Sequence, residues 1–114
     1  MKNEYMDKLI QEAQESGIVH GRGTLYALRA YHHPELVDGV LVVNDLGFDS
    51  TINDMMATFE AAGINELIIT DHSSALMVCL HTILTRGWTI TGTYTKEPED
   101  KWDRKEYGLR IQRL

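Results

Sequence analysis

Two short aliphatic runs, Val40-Leu41-Val42-Val43 and Leu67-Ile68-Ile69, constrain this chain more than any other feature. Neither alternates polar with apolar, so each predicts a strand buried on both faces. Between them Ile52, Met55, Met56 and Phe59 recur at helical spacing, with Asp49 or Ser50 placed to cap the helix and Gly63 to end it. A buried strand, a helix and a second buried strand imply parallel pairing through a crossover. The unit repeats. Leu76, Met77, Leu80, Ile83 and Leu84 predict an inward stripe on a helix running to Arg86, with Gly87 as its stop. Residues 88–94 then alternate aromatic or aliphatic side chains with threonine, the pattern of a strand with one buried face. A charged loop over 96–106 leads to a last strand at 107–113, expected to form an antiparallel hairpin with the strand before it.

Ahead of this unit, Tyr5, Leu9, Ile10 and Ala13 predict a helix over 2–16, ended by Gly17. A shorter helix follows over 24–31, with Leu25 and Leu28 inward, and Pro34 prevents its continuation. Gly21-Arg22-Gly23 ahead of it reads as a flexible linker, with Thr24 as the cap; it lacks the preceding strand and the lysine of a phosphate-binding loop. The element order is therefore α-α-β-α-β-α-β-β. That order predicts an α+β fold: one compact domain over 1–114, with a mixed sheet of about four strands and helices packed on it. Residues 1–33 form its helical N-terminal part and 34–114 the β-α-β-α-β-β part.

The net charge of −6 is unevenly spread: −5 falls on residues 1–57 and −1 on the remainder. An acidic first half repels phosphates, so direct nucleic-acid binding is not expected, whereas a basic protein partner suits it. Cys79 is the only cysteine, which excludes an internal disulfide and points to a reducing cytoplasm. No apolar run reaches membrane-spanning length, and the first sixteen residues lack the apolar core of a secretion signal.

The polar cluster Asp71-His72-Ser73-Ser74 follows the second buried strand, where open α/β sheets often place a ligand. Adjacent residues do not make a catalytic triad, and a glycine-flanked nucleophile elbow is missing. Asp71 and Ser73 read as caps for the helix that follows, so no catalytic set is assigned. The alternative is a small-molecule or nucleotide site built from Asp71, His72, Ser73 and Ser74, with Asp45 nearby. The histidines, His20, His32, His33, His72 and His81, lack the spacing of metal ligands, and Cys79 reads as a small core residue. Neither a metal nor a cofactor is expected. Trp102, set among Asp103, Arg104 and other charges, has two readings. It anchors a partner, as tryptophan does at binding hot spots, or it folds back as a lid over the sheet edge. With Asp45 and Asp49, the group Trp102, Asp103 and Arg104 forms the candidate partner-binding set. A homodimer is expected, and a further alternative to a binding role is a purely structural dimer subunit of a larger complex, paired through the helix carrying Met55 and Met56 or through the last strand, taken as an exposed edge.

The segments HGRGTLYALRAY, NDLGFDSTINDMMATFEAAGI and ELIITDHSSALMVCLHTILTRGWTITGTY resemble a family of small proteins of unknown function carried on plasmids, integrative elements and prophages of Gram-positive bacteria. The likeness spans about residues 16–95 and rests on capping and packing signals. It departs at Phe48, where the family tends to tryptophan, and at Thr70-Asp71-His72, which replaces a serine-rich segment. The resemblance implies a mobile-element accessory protein, and some such proteins inhibit host defence, CRISPR effectors included. The partner it implies is a basic, nucleic-acid-binding host defence protein.

Overall fold

The computed structural model describes residues 2–44, 49–70, 76–103 and 105–114, with backbone alone for Asp49, Ser50 and Leu76. Among the described residues, four helices, α1 (Glu4–Ser16), α2 (Arg22–His32), α3 (Asp49–Ala61) and α4 (Leu76–Thr85), accompany five strands. The strands are β1 (Leu36–Val37), β2 (Val40–Asn44), β3 (Glu66–Thr70), β4 (Trp88–Lys96) and β5 (Glu106–Arg113). The fold is α+β, with helices and strands interleaved along the chain. The two-residue β1 is the strand that periodicity missed, because two residues carry no period. It folds back on β2 through Asp38 and Gly39, both at positive φ (53° and 79°), the backbone that a two-residue hairpin turn requires.

The sheet order is β1-β2-β3-β5-β4. β2 and β3 pair in parallel through α3, and β5 runs antiparallel to both β3 and β4, so β3 and β4 share a direction across α4. The expected edge position of the last strand is therefore overturned: β5 is interior and β4 is the edge. Gly108 marks the reason. A Cβ there would lie 2.5 Å from the Ile69 carbonyl oxygen, so glycine lets β5 close onto β3. β4 protects its open edge with a register irregularity between Ile90 and Gly92 and with Lys96 at its end. That irregularity also breaks the expected alternation. Ile90 lies opposite the buried Ile111, whereas Tyr94 lies opposite Gly108, on the other face.

All four helices pack on one face. Leu41, Val43, Leu67, Ile69 and Ile111 form the core floor, met by Met6 of α1, Leu28 and Tyr31 of α2, Met55, Met56 and Phe59 of α3, and Cys79 and Ile83 of α4. Met55 and Met56 are 1% and 0% exposed, so these two methionines face the core and not solvent. On α1 and α2 Met6, Ala27, Leu28 and Tyr31 are buried and Leu9 and Ile10 pack half-buried against the core, while Tyr5 and Leu25 face solvent. On α4, Met77 and Leu84 are exposed, against expectation, because this helix buries a narrow line through Cys79 and Ile83.

The segment 21–24 is not a linker capped by Thr24. α2 starts at Arg22 with Gly21 as its N-cap, and Gly23 is buried where α2 crosses α3. A Cβ on Gly23 would sit 2.2 Å from the Thr51 carbonyl oxygen, and the Thr24 hydroxyl meets that of Thr58 at 3.0 Å. At the core margin, Glu60 accepts two bonds from the Arg86 guanidinium (2.8 and 3.0 Å) and one from Trp88 Nε1 (3.1 Å), with Arg113 at 3.4 Å. Burial pushes the Glu60 carboxyl up, but the bonds from Arg86 and Trp88 and the two guanidinium charges outweigh it and hold it below its ordinary value. Among the described residues, no helix is long and apolar enough to cross a membrane.

Candidate protein-binding surface

The parallel strands β2, β3 and β4 end on one side of the sheet, at Asn44, Thr70 and Lys96. Side chains link these ends: the Thr70 hydroxyl donates to Asn44 Oδ1, and Asn44 Nδ2 donates to Glu35 Oε2 at 3.1 Å. Lys96 Nζ then meets Glu35 Oε1 at 3.4 Å. The Glu35 charge, with its hydrogen bond, raises the Lys96 pKa above its ordinary value, so the ammonium keeps its charge at neutral pH. This network fixes the base of the β4–β5 hairpin, whose connecting loop leaves the same end of the sheet.

The hairpin register pairs Lys96 with Glu106, so residues 97–105 form the connecting loop. Asp100 Oδ1 accepts from the backbone amides of Trp102 (2.7 Å) and Asp103 (3.1 Å), a side-chain turn that tethers the main chain at the tip. Trp102 is 82% exposed, which rejects the lid reading. Lys101 Nζ lies over the ring, 5.0 Å from its centroid, so one π-face already carries a cation.

Behind the indole lies a cleft of about 460 Å³ lined by Lys96, Glu97, Pro98, Glu99, Trp102, Asp103 and Glu106. Four carboxylates face one ammonium group there. Lys96 is already matched by Glu35, and Glu97 by Lys105 at 3.2 Å. The bond from Glu97 and its charge raise the Lys105 pKa. Glu99, Asp103 and Glu106 form an acidic rim beside an exposed aromatic ring, and among the described residues the charges of Glu106 and Glu99 also act on Lys96.

Of the residues assigned from sequence, Trp102 and Asp103 come together in this cleft. Arg104, Asp45, Asp71, His72, Ser73 and Ser74 lie outside the described residues, and of Asp49 only the backbone, at the start of α3, is described. Sequence reading missed Glu97, Glu99 and Glu106 as cleft residues. Their charges were visible as a run, but the turn that gathers them around one ring is set by the pairing of β4 with β5.

An α+β domain with an aromatic, acid-rimmed hairpin tip is the class that fold and surface define. Residues 26–111 match the family model described as a domain of unknown function, DUF7698, and the chain belongs to that family. No match was found among curated proteins or among solved structures.

Proposed function

We propose that this domain is a non-catalytic protein-binding module that docks a basic partner on the β4–β5 hairpin tip. The observation that carries this reading is an 82% exposed tryptophan, on a turn tied down by Asp100, beside a cleft walled by carboxylates. A partner arginine or lysine entering that cleft gains the indole face on one side and charge-assisted hydrogen bonds on the other. Tryptophan and arginine are both enriched at energetically dominant contacts, which tend to meet one another across an interface. The net charge of −6 speeds encounter with a basic partner. The finer reading is a cytoplasmic accessory protein of a mobile element that occupies the basic channel of a host defence nuclease. That reading rests on the family resemblance drawn from sequence and on this charge.

Fluorescence titration of the whole chain with an oligo-arginine peptide at low salt tests the docking surface. The Trp102 signal is expected to change on binding, and Trp102→Ala, which lacks the reporter and is read by isothermal titration, to weaken affinity about tenfold, or about 1.4 kcal/mol. Glu99→Gln with Asp103→Asn should weaken it similarly, while Glu12→Gln with Glu15→Gln on α1, the same change in net charge, should not. Equal losses from the two charge pairs would mean nonspecific attraction and would refute the site. Inhibition of a guide-dependent nuclease, relieved by Trp102→Ala, tests the finer reading.

A further inference from the structure

The outer face of α2 has the opposite character. Arg22, Tyr26, Arg29 and His33 are spaced four, three and four residues apart and are all exposed. At 1.5 Å per residue they make one row about 16 Å long. The arginines in this row differ from the other described arginines. Arg86 and Arg113 engage Glu60, and Arg110 engages Asp38 at 3.5 Å. Arg22 and Arg29 hold no hydrogen bond or ion pair through their side chains among the described residues, in a chain with 17 carboxylates. Two guanidinium groups without a partner among the described residues, on one face of an acidic protein, leave an anion-binding capacity that those residues do not consume.

Two depressions flank this row and share Tyr26 and Arg29 as a common wall. The larger, about 400 Å³, lies between α2 and β2, floored by Val42, Val43 and Met55 and closed by His33 and Asn44. Its volume is within the range of small-molecule sites. The smaller, about 200 Å³, lies between Arg22 and Arg29. Glu35, on the rim of the larger, is matched by Lys96 and does not present an uncompensated charge. His33 is the C-cap of α2, and its ring sits edge-on to His32 at 4.6 Å.

We propose that this paired depression binds a small phosphorylated ligand carrying a planar ring, of the nucleotide class. The ring lies on the apolar floor against Tyr26 and His33. The phosphate sits between Arg29 and Arg22, whose planar guanidinium forks match phosphate oxygens. This surface lies on α2, apart from the hairpin tip, and stands independently of the protein-docking proposal.

Isothermal titration of the full chain with the four common nucleoside monophosphates, the matching nucleosides and inorganic phosphate is the test. At least one monophosphate is expected to bind, with its nucleoside and free phosphate each about tenfold weaker or more. Arg29→Ala and Tyr26→Ala should each lower affinity about tenfold, while Lys8→Ala and Trp102→Ala leave it unchanged. Circular dichroism checks that the variants stay folded. The proposal is overturned by no binding of any monophosphate at millimolar concentration, by free phosphate binding as tightly as the nucleotide, or by affinity indifferent to Arg29→Ala. Much tighter binding of a single-stranded oligonucleotide than of its monomer would also overturn it, since the row would then be a nucleic-acid track.

Discussion

Removing the Glu60 carboxylate tests how the end of α3, the start of β4 and the end of β5 are held together. Glu60 has 14% of its side chain exposed and Arg86 has 29%, so the pair lies between a buried and a surface ion pair. Breaking a buried pair costs about 3–5 kcal/mol, and an exposed pair is worth about 0.2–1 kcal/mol. Glu60→Ala also strips Trp88 Nε1 of its acceptor, on a residue 1% exposed, a loss of about 1–3 kcal/mol for an unsatisfied buried donor. Together these place Glu60→Ala at about 2–3 kcal/mol of destabilisation. For a chain of this length that lowers Tm by about 4 °C per kcal/mol, or about 8–12 °C. Glu60→Gln keeps an acceptor for Trp88 and should cost about half as much.

Urea unfolding followed by tryptophan emission reads this directly, because Trp88 is buried and Trp102 is already in water. The pH dependence has a definite sign. The folded carboxyl is held below its ordinary value, so its contribution is fully present above the unfolded value of about 4.3 and is lost as pH falls through the lower folded value. The gap between the native chain and Glu60→Gln should therefore be constant near neutrality and close on acidification below about pH 4. A loss under about 0.5 kcal/mol for Glu60→Ala, or a gap that widens in acid, would refute the assignment of Glu60 as the tie.

Two further perturbations probe the packing of the N-terminal helices. Gly23→Ala forces a Cβ to 2.2 Å from the Thr51 carbonyl oxygen, so α2 must shift on α3; a loss of about 3 kcal/mol, read by thermal unfolding, is expected, and a neutral result would refute the close crossing. Tyr31→Phe removes a hydroxyl that donates to Asp7 at 2.7 Å and accepts from the Asn3 amide at 2.9 Å, which joins α1 to α2. Burial, reinforced by the bond to Asp7, raises the Tyr31 pKa, so this tie survives well into alkaline solution. Amide exchange across α1 should quicken by about tenfold in Tyr31→Phe, with the sheet unaffected.

Much of the fold was legible locally. The aliphatic runs at 40–43 and 67–69, the Ile52–Met55–Met56–Phe59 stripe and the glycine stops at 17, 63 and 87 encode elements through periodicity and capping, which operate over a few residues. Of the candidate surface, Trp102 and Asp103 could be picked out because a lone indole in a charged loop is costly in water. Other features needed the assembled sheet. The position of β5 between β3 and β4 depends on pairing across nearly forty residues, and an interior and an edge strand carry the same alternation. The flip of Tyr94 follows from one register irregularity, and the outward turn of Leu25 and Met77 from how narrowly α2 and α4 touch the core. The acidic rim at the hairpin tip and the arginine row on α2 are likewise tertiary. Sequence determined which segments fold and how each is punctuated; the pairing of distant strands decided which side chains meet, because electrostatics and close packing act through space.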